Sequence, residues 1–157
     1  MKRFAILHVV CWVGLGNVLA LAFSSVGPVF YDRLLDTDRF AELLLALKTS
    51  GIEASRIGAI QANLWTLYIE EGQAVGSGIS AFPSVHVGVA TVFALYLMER
   101  SKWLAPIAIL FLAMILFFSV YLGYHYALDG YASIIVIVAA WALLRRRNVA
   151  FATYSPA

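Results

Sequence analysis

Residues 103–122 read WLAPIAILFLAMILFFSVYL, a run of twenty residues without a formal charge. A helix needs about 20 apolar residues to cross the hydrocarbon core of a bilayer, which is about 30 Å thick. The run is followed by Gly123-Tyr124, and then by the polar residues His125 and Asp129. This stretch therefore predicts a transmembrane helix that ends beside a turn rich in reactive side chains.

The composition of the whole chain agrees with a membrane location. Hydrophobic residues make up 62% of the 157 residues and charged residues 13%, whereas a soluble domain carries about 25% charged residues. The mean hydropathy of +0.86 also favours an integral membrane protein. The formal net charge of +2 is too small to indicate a nucleic-acid partner. A single cysteine, Cys11, excludes an internal disulfide.

Further apolar segments lie on both sides of the opening run. We predict an all-α integral membrane protein with four transmembrane helices and short amphipathic helices, forming a single membrane domain over residues 1–157. The first apolar segment is too long for a signal peptide and is interpreted as a retained helix. The predicted spans are residues 4–26, 82–98, 103–122 and 125–144, and residues 27–81 form a segment outside the membrane.

The basic residues near the helix ends predict an orientation. Lys2 and Arg3, then Arg100 and Lys102, then residues 145–147 fall on the same side of a four-helix topology. The positive-inside rule makes that side cytoplasmic. We therefore expect a multi-pass protein of a bacterial plasma membrane, with both termini cytoplasmic and with the starts of the second and fourth helices facing outward.

The outer segment is predicted to contain two amphipathic helices. Residues 36–38 (DTD) can cap a helix whose apolar face includes Phe40, Leu43, Leu44 and Leu47. Residues 55–70 predict a second helix. Its apolar face is expected at Ile57, Ile60, Leu64 and either Leu67 or Tyr68. Glycines at 72, 76 and 78 then form a flexible connection to the second span.

Two motifs carry candidate chemistry at the predicted outer face. His125 and Asp129 have the i, i+4 spacing of neighbours on one helix face, and a carboxylate can fix the tautomer of an imidazole so that its other nitrogen attacks an electrophile or takes a proton. Pro83-Ser84-Val85-His86 is typical of a helix start, where free N–H groups and the helix dipole attract anions. Either motif alone is also compatible with a structural role, as a helix-locking pair or as a serine cap beside an interfacial histidine. Together they favour covalent phosphoryl transfer.

These motifs resemble those of a known family. FPSVH at 82–86 and YLGYHYALD at 121–129 resemble the type 2 phosphatidic acid phosphatase superfamily, and more closely its inositol phosphorylceramide synthase-like (aureobasidin-resistance) branch. The aromatic, proline-containing segment of that branch is similar to Gly27–Tyr31 here, so the likeness covers about residues 24–144. It implies a helical bundle with its site at the outer face.

The resemblance also implies roles for individual residues. His125 would be the nucleophile that forms a phosphohistidine, Asp129 would orient it, and His86 would protonate the leaving group. Ser84 and the nearby backbone would hold phosphate. No metal or other cofactor is expected, because the candidate ligands are two histidines and one aspartate without the spacing of a metal motif.

The sequence departs from the family pattern in its cations. The lysine and arginine-proline motif of the superfamily is absent, and Ser119 stands where an arginine is common. Phosphoryl transfer needs positive charge around the phosphate oxygens. The outer segment offers Arg33, Arg39, Lys48 and Arg56 as substitutes, in that order of preference, although each is also compatible with a solvated charge. The chain is short for the family, as if two N-terminal helices were absent, and a homo-oligomer is one way to complete it.

Two functions remain open at this point. The first is a metal-independent, membrane-embedded lipid phosphatase or phosphotransferase, acting on a phosphorylated lipid at the outer face. The alternative is a non-catalytic subunit that binds lipid headgroups or serves in assembly on a degenerate phosphatase scaffold. The partners expected in both cases are phosphorylated and other membrane lipids.

Overall fold

The computed structural model of the chain describes residues 2–23, 25–70 and 80–153, with side chains as far as Arg146. Within these residues the chain forms seven helices and no strand, which confirms the predicted all-α class. The glycine-containing connection predicted around residues 72–78 lies outside the described residues. The helices are α1 (Lys2–Ala22, π-helical at Val10–Leu19), α2 (Pro28–Leu35), α3 (Ala41–Thr49), α4 (Arg56–Glu70), α5 (Val85–Arg100), α6 (Ala105–Tyr121, preceded by a 3-10 turn at Lys102–Leu104) and α7 (Ala127–Thr153).

Helix α5 lies at the centre of the bundle and packs against α1, α6 and α7. Small residues allow this close packing. A Cβ atom at Gly88 would lie 2.7 Å from Leu15 Cδ1 and 2.8 Å from Cys11 Sγ, so a larger residue would force these two side chains to move where α1 crosses α5. Leu7 and Ile137 are also fully buried in this core, which therefore joins α1, α5 and α7.

Three of the described helical segments are long and apolar enough to cross a membrane: Lys2–Ala22, Lys102–Tyr121 and Ala127–Arg146. Their outward faces are apolar, as shown by Val9, Ile107 and Leu143, each about 60% exposed. Surfaces of this kind are stable in contact with lipid rather than water. Helix α5 has only 16 residues, shorter than the about 20 needed for a span, so the predicted span at residues 82–98 stays a prediction.

The short helices build a second core at the end of the bundle where α5 begins. Val29, Phe30 and Leu47 are buried there against side chains of α4 and against Leu122. The two helices predicted in the outer segment are confirmed as α3 and α4. The predicted cap at residues 36–38 is wrong, because Phe40 is the N-cap of α3 and no side chain caps it. The predicted apolar face of α4 is wrong at Ile60, which is 52% exposed, because the residues turned inward are Gln61, Leu64, Trp65 and Tyr68.

Candidate active site

The segments that carry the predicted site residues meet at one end of the bundle. Helix α6 ends at Tyr121, the chain turns, and α7 begins at Ala127. The turn depends on Gly123, whose φ of +73° is strained for any residue with a side chain. Its carbonyl accepts a hydrogen bond of 2.9 Å from the N–H of Val29, which ties the turn to α2. His125 is thereby held beside the start of α5.

His125 is buried and its ring is anchored by the main chain. Its Nδ1 lies 2.5 Å from the carbonyl oxygen of Ala81. A carbonyl can only accept, so Nδ1 carries the hydrogen and Nε2 keeps its lone pair. Ala81 is itself fixed, because its N–H donates to the carbonyl of Ser25 at 2.6 Å. The ring therefore presents Nε2 as a nucleophilic atom.

Asp129 lies near His125 but bonds elsewhere. Its Oδ2 is 4.0 Å from Nδ1 of His125 and accepts a hydrogen bond of 2.7 Å from the N–H of Tyr126. It thus satisfies a free donor at the start of α7. His125 precedes this helix, so the two residues are close without sharing a helix face.

Ser84 and His86 occupy the first turn of α5. Ser84 is fully buried and caps the helix, since its Oγ accepts from the N–H of Val87 at 3.4 Å. Its own N–H donates to the carbonyl of Asp129 at 3.4 Å, which links the two motifs. The His86 ring is exposed and its centroid lies 6.3 Å from that of His125. The two histidine motifs therefore meet, as the topology predicted.

The four candidate cations are all exposed, and they are dispersed. Arg33 lines a cleft of about 300 Å³ between α2 and α4, opposite Glu53. Lys48 lies in the last turn of α3, and Arg56 is the first residue of α4. Among the described residues, none of the four forms a hydrogen bond or ion pair with the two histidines, Ser84 or Asp129.

Arg39 is the candidate cation that is connected to the site. Its guanidinium carbon lies 6.0 Å from the ring centroids of both Tyr31 and Phe40, and the Phe40 ring lies 6.0 Å from that of Tyr126. Burial raises the pKa of Tyr126, with further contributions from Tyr31 and Asp129, and the Arg39 guanidinium opposes this rise. Arg39 thus acts electrostatically on the residue that follows His125.

Other site residues are hard to recognise from the sequence. The Ala81 acceptor is a backbone atom. Gln61 donates from Nε2 to the carbonyl of Leu122 at 2.9 Å and hydrogen-bonds the Tyr124 side chain, so α4 holds both ends of the turn. Gly27 lies so close to the turn that a Cβ there would be 2.3 Å from the oxygen of Tyr124. A buried glutamine on an apolar helix face is the one sign that was available in advance.

Burial controls the charge of His125, which lies outside the membrane-spanning segments. It lowers the pKa of this imidazole from the ordinary value of 6.5, the hydrogen bond to Ala81 opposes the change, and the positive charge of His86 lowers it further. The folded protein therefore favours the neutral imidazole. This is the form required of a nucleophile.

We expect the neutral form of His125 to predominate at pH 6.5, the ordinary pKa of histidine. Folding lowers the pKa of His125, so its contribution to the free energy of unfolding is complete above the pKa of the unfolded chain. This contribution is lost as the pH falls through the pKa of the folded protein. Diethyl pyrocarbonate reacts with neutral imidazole, so the rate of carbethoxylation at His125, followed by peptide mass spectrometry, should have its midpoint below that of N-acetylhistidine. An equal or higher midpoint would contradict the assignment.

A family model described as the PAP2 superfamily matches residues 1–143, a range that includes every residue of the candidate site. No curated protein and no solved structure matches the chain.

Proposed function

The chain belongs to the PAP2 superfamily, and from this premise we propose that it is a membrane-embedded phosphatase or phosphotransferase that acts on a phosphorylated lipid through a phosphohistidine at His125. Membership supports a phosphoric ester hydrolase of the lipid phosphatase type in general. The observation that carries the finer proposal is the buried His125 ring, whose Nδ1 is held by the Ala81 carbonyl beside the exposed His86 ring.

The first proposed step forms the phosphohistidine. The lone pair on Nε2 of His125 attacks phosphorus, and the bond between phosphorus and the ester oxygen breaks. The leaving oxygen takes a proton from the His86 imidazolium. Positive charge that develops on the His125 ring is stabilised by its Nδ1–H bond to Ala81, and the carboxylate of Asp129, 4.0 Å away, adds a favourable charge.

The second proposed step breaks the bond between phosphorus and Nε2. His86, now neutral, removes a proton from the attacking group, which is water in hydrolysis or an alcohol in transfer. Inorganic phosphate or a new phosphate ester leaves, and His125 returns to its starting form. The exposure of His86 favours water as the acceptor.

The phosphate oxygens are proposed to lie at the start of α5. The first N–H groups of a helix lack partners within it, and the helix dipole attracts anions there. Ser84 is fully buried and caps this turn, so we assign it the role of holding the first turn of α5 in place beside the phosphate. Of the four candidate cations, we assign the phosphate contact to Arg39, because it alone is linked to Tyr126 through aromatic contacts. Arg33, Lys48 and Arg56 are assigned no role in the site.

The membrane setting of the site is also proposed. The basic residues near the helix ends favour a cytoplasmic location for both termini, which directs the histidines toward the outer face of a bacterial plasma membrane. The substrate would then be a phosphorylated lipid of the outer leaflet. The FPSVH and YLGYHYALD motifs support a place in the inositol phosphorylceramide synthase-like branch.

The proposal is tested by phosphate release from phosphatidate, a prenyl diphosphate and a phosphorylated sphingolipid, with purified protein in nanodiscs. We expect turnover of at least one donor in the presence of EDTA, and an acid-labile phosphoryl group trapped on His125 by rapid quenching. Arg39→Gln should raise KM by about tenfold through loss of one charged hydrogen bond, whereas the matched change Arg56→Gln should leave KM unchanged. Binding of these lipids without any turnover would support the non-catalytic alternative instead.

A further inference from the structure

A second polar cluster joins three helices at the end of the bundle opposite the histidines. Glu99, on the last turn of α5, accepts a hydrogen bond from Arg3 of α1 through Oε2. Its Oε1 accepts one of 2.6 Å from Nε1–H of Trp141 on α7. One carboxylate thus holds α1, α5 and α7 together, and each of its oxygens accepts one hydrogen bond.

This cluster of Arg3, Glu99, Trp141 and Arg145, called the joint below, has more hydrogen-bond donors than acceptors. The Nε–H of Arg3 is buried and has no hydrogen-bond partner among the described residues. The guanidinium of Arg145 lies 5.3 Å from the ring centroid of Trp141, one helical turn away, and has no carboxylate partner within the described part of the chain. A guanidinium presents five N–H donors and no acceptor. The unpaired donors of this cluster therefore suit an anion with several oxygen acceptors.

The side chains around the joint carry mostly positive charge. Glu99 is the one acidic residue among the described side chains at this end of the bundle. The basic side chains there are Lys2, Arg3, Arg100, Lys102, Arg145 and Arg146, of which all but Arg3 are exposed. Arg145 contacts Trp141 within the joint and has no carboxylate partner among the described residues.

The position of the joint identifies the source of the anion. Arg145 lies at the end of the apolar span Ala127–Arg146, and Arg3 at the start of the span Lys2–Ala22. Both helices expose apolar side chains close by, with Ile6 at 46% and Leu143 at 61% exposure. Lipid headgroups occur at this level of a bilayer, and basic sites between transmembrane helices recognise anionic ones. Acyl chains of the same molecule would cover the apolar surface.

We infer that the joint formed by Arg3, Glu99, Trp141 and Arg145 binds the headgroup phosphate of an anionic membrane phospholipid. Arg145 contacts the phosphate with its paired N–H groups while Trp141 supports the guanidinium from its face. The bound lipid reinforces the contact among α1, α5 and α7. This inference does not depend on catalysis at the other end of the bundle.

The experiment places the purified chain in nanodiscs of phosphatidylcholine, with or without a minor fraction of phosphatidylglycerol. We expect phosphatidylglycerol to raise the midpoint of thermal unfolding and to remain bound in native mass spectrometry. Arg145→Gln should reduce lipid retention at least about tenfold, through loss of charged hydrogen bonds to the phosphate. Lys102→Gln removes a charge at the same end but outside the joint, and should retain the lipid as the wild type does.

Three results would overturn the inference. Equal losses in Arg145→Gln and Lys102→Gln would indicate diffuse attraction between charges rather than a site. Equal protection by soluble glycerol phosphate in phosphatidylcholine alone would indicate a site for a free phosphate ester. Equal retention by wild type and Arg145→Gln would remove Arg145 from any site. If Arg145→Gln does not fold, Arg145→Lys serves in its place, because it keeps the charge and loses the paired donors.

Discussion

Replacement of His125 by alanine is expected to abolish turnover, with a loss of at least about a thousandfold in kcat, because the proposed covalent intermediate forms on this side chain. The structure makes this change local. The change removes the hydrogen bond between His125 and the Ala81 carbonyl. The turn remains tied to α2 through Gly123 and to α4 through Gln61. The measurement is phosphate release per mole of folded protein, with the thermal midpoint recorded for each variant.

The two other histidines supply the controls for this prediction. His8 lies in α1, where its Nδ1 bonds the carbonyl of Phe4, so His8→Ala should leave kcat within about twofold. His86→Ala should lower kcat about a hundredfold on a lipid substrate, and much less on an aryl phosphate whose leaving group needs no proton. A His125→Ala enzyme that releases phosphate at the wild-type rate would disprove the assigned nucleophile.

Replacement of Gly27 by alanine is expected to displace His125 indirectly, by moving the turn that precedes it. The new Cβ would lie 2.3 Å from the carbonyl oxygen of Tyr124 and 2.9 Å from its carbon, and both are backbone atoms that cannot rotate away. The turn must shift, and His125 is the next residue. We expect a loss of about 1–3 kcal/mol in unfolding free energy and about a hundredfold in kcat, the effect of a displacement of about 1 Å.

Gly14→Ala is the matched control for this second prediction. Its Cβ would meet one atom within 4 Å, the side-chain Cγ1 of Val10 at 3.7 Å, which is ordinary contact. An alanine inside α1 should keep full activity and gain about 0.5–1 kcal/mol of stability. If Gly27→Ala were as stable and active as Gly14→Ala, the turn would not depend on the close approach of residue 27.

The parts of the structure that follow from hydropathy were predictable. Long apolar runs gave three of the spanning helices within a few residues of their observed ends, because lipid leaves a helix no other way to satisfy its backbone. The two histidine motifs also signalled the superfamily, and the match over residues 1–143 confirms it, while the predicted branch stays a prediction. Their meeting at one end of the bundle followed from the order of the helices alone.

The contacts inside the site were not predictable, for identifiable reasons. The spacing of His125 and Asp129 suggested a shared helix face, but α7 begins only at Ala127, and the carboxylate bonds the N–H of Tyr126 instead. Helix starts depend on local capping, which apolar periodicity does not report. Long exposed side chains such as those of Arg33, Lys48 and Arg56 can adopt many conformations, so the sequence does not predict where their charges lie.

The hydrogen bond between His125 and Ala81 has a genetic consequence. Every amino acid carries the same carbonyl, so no codon at position 81 encodes its loss. Ala81 is completely buried, and tolerance at this position should therefore follow side-chain volume rather than polarity. Selection for a correctly oriented imidazole falls instead on residues that fix the path of the main chain, among them Gly27 and Gly123, which have no reactive group at all.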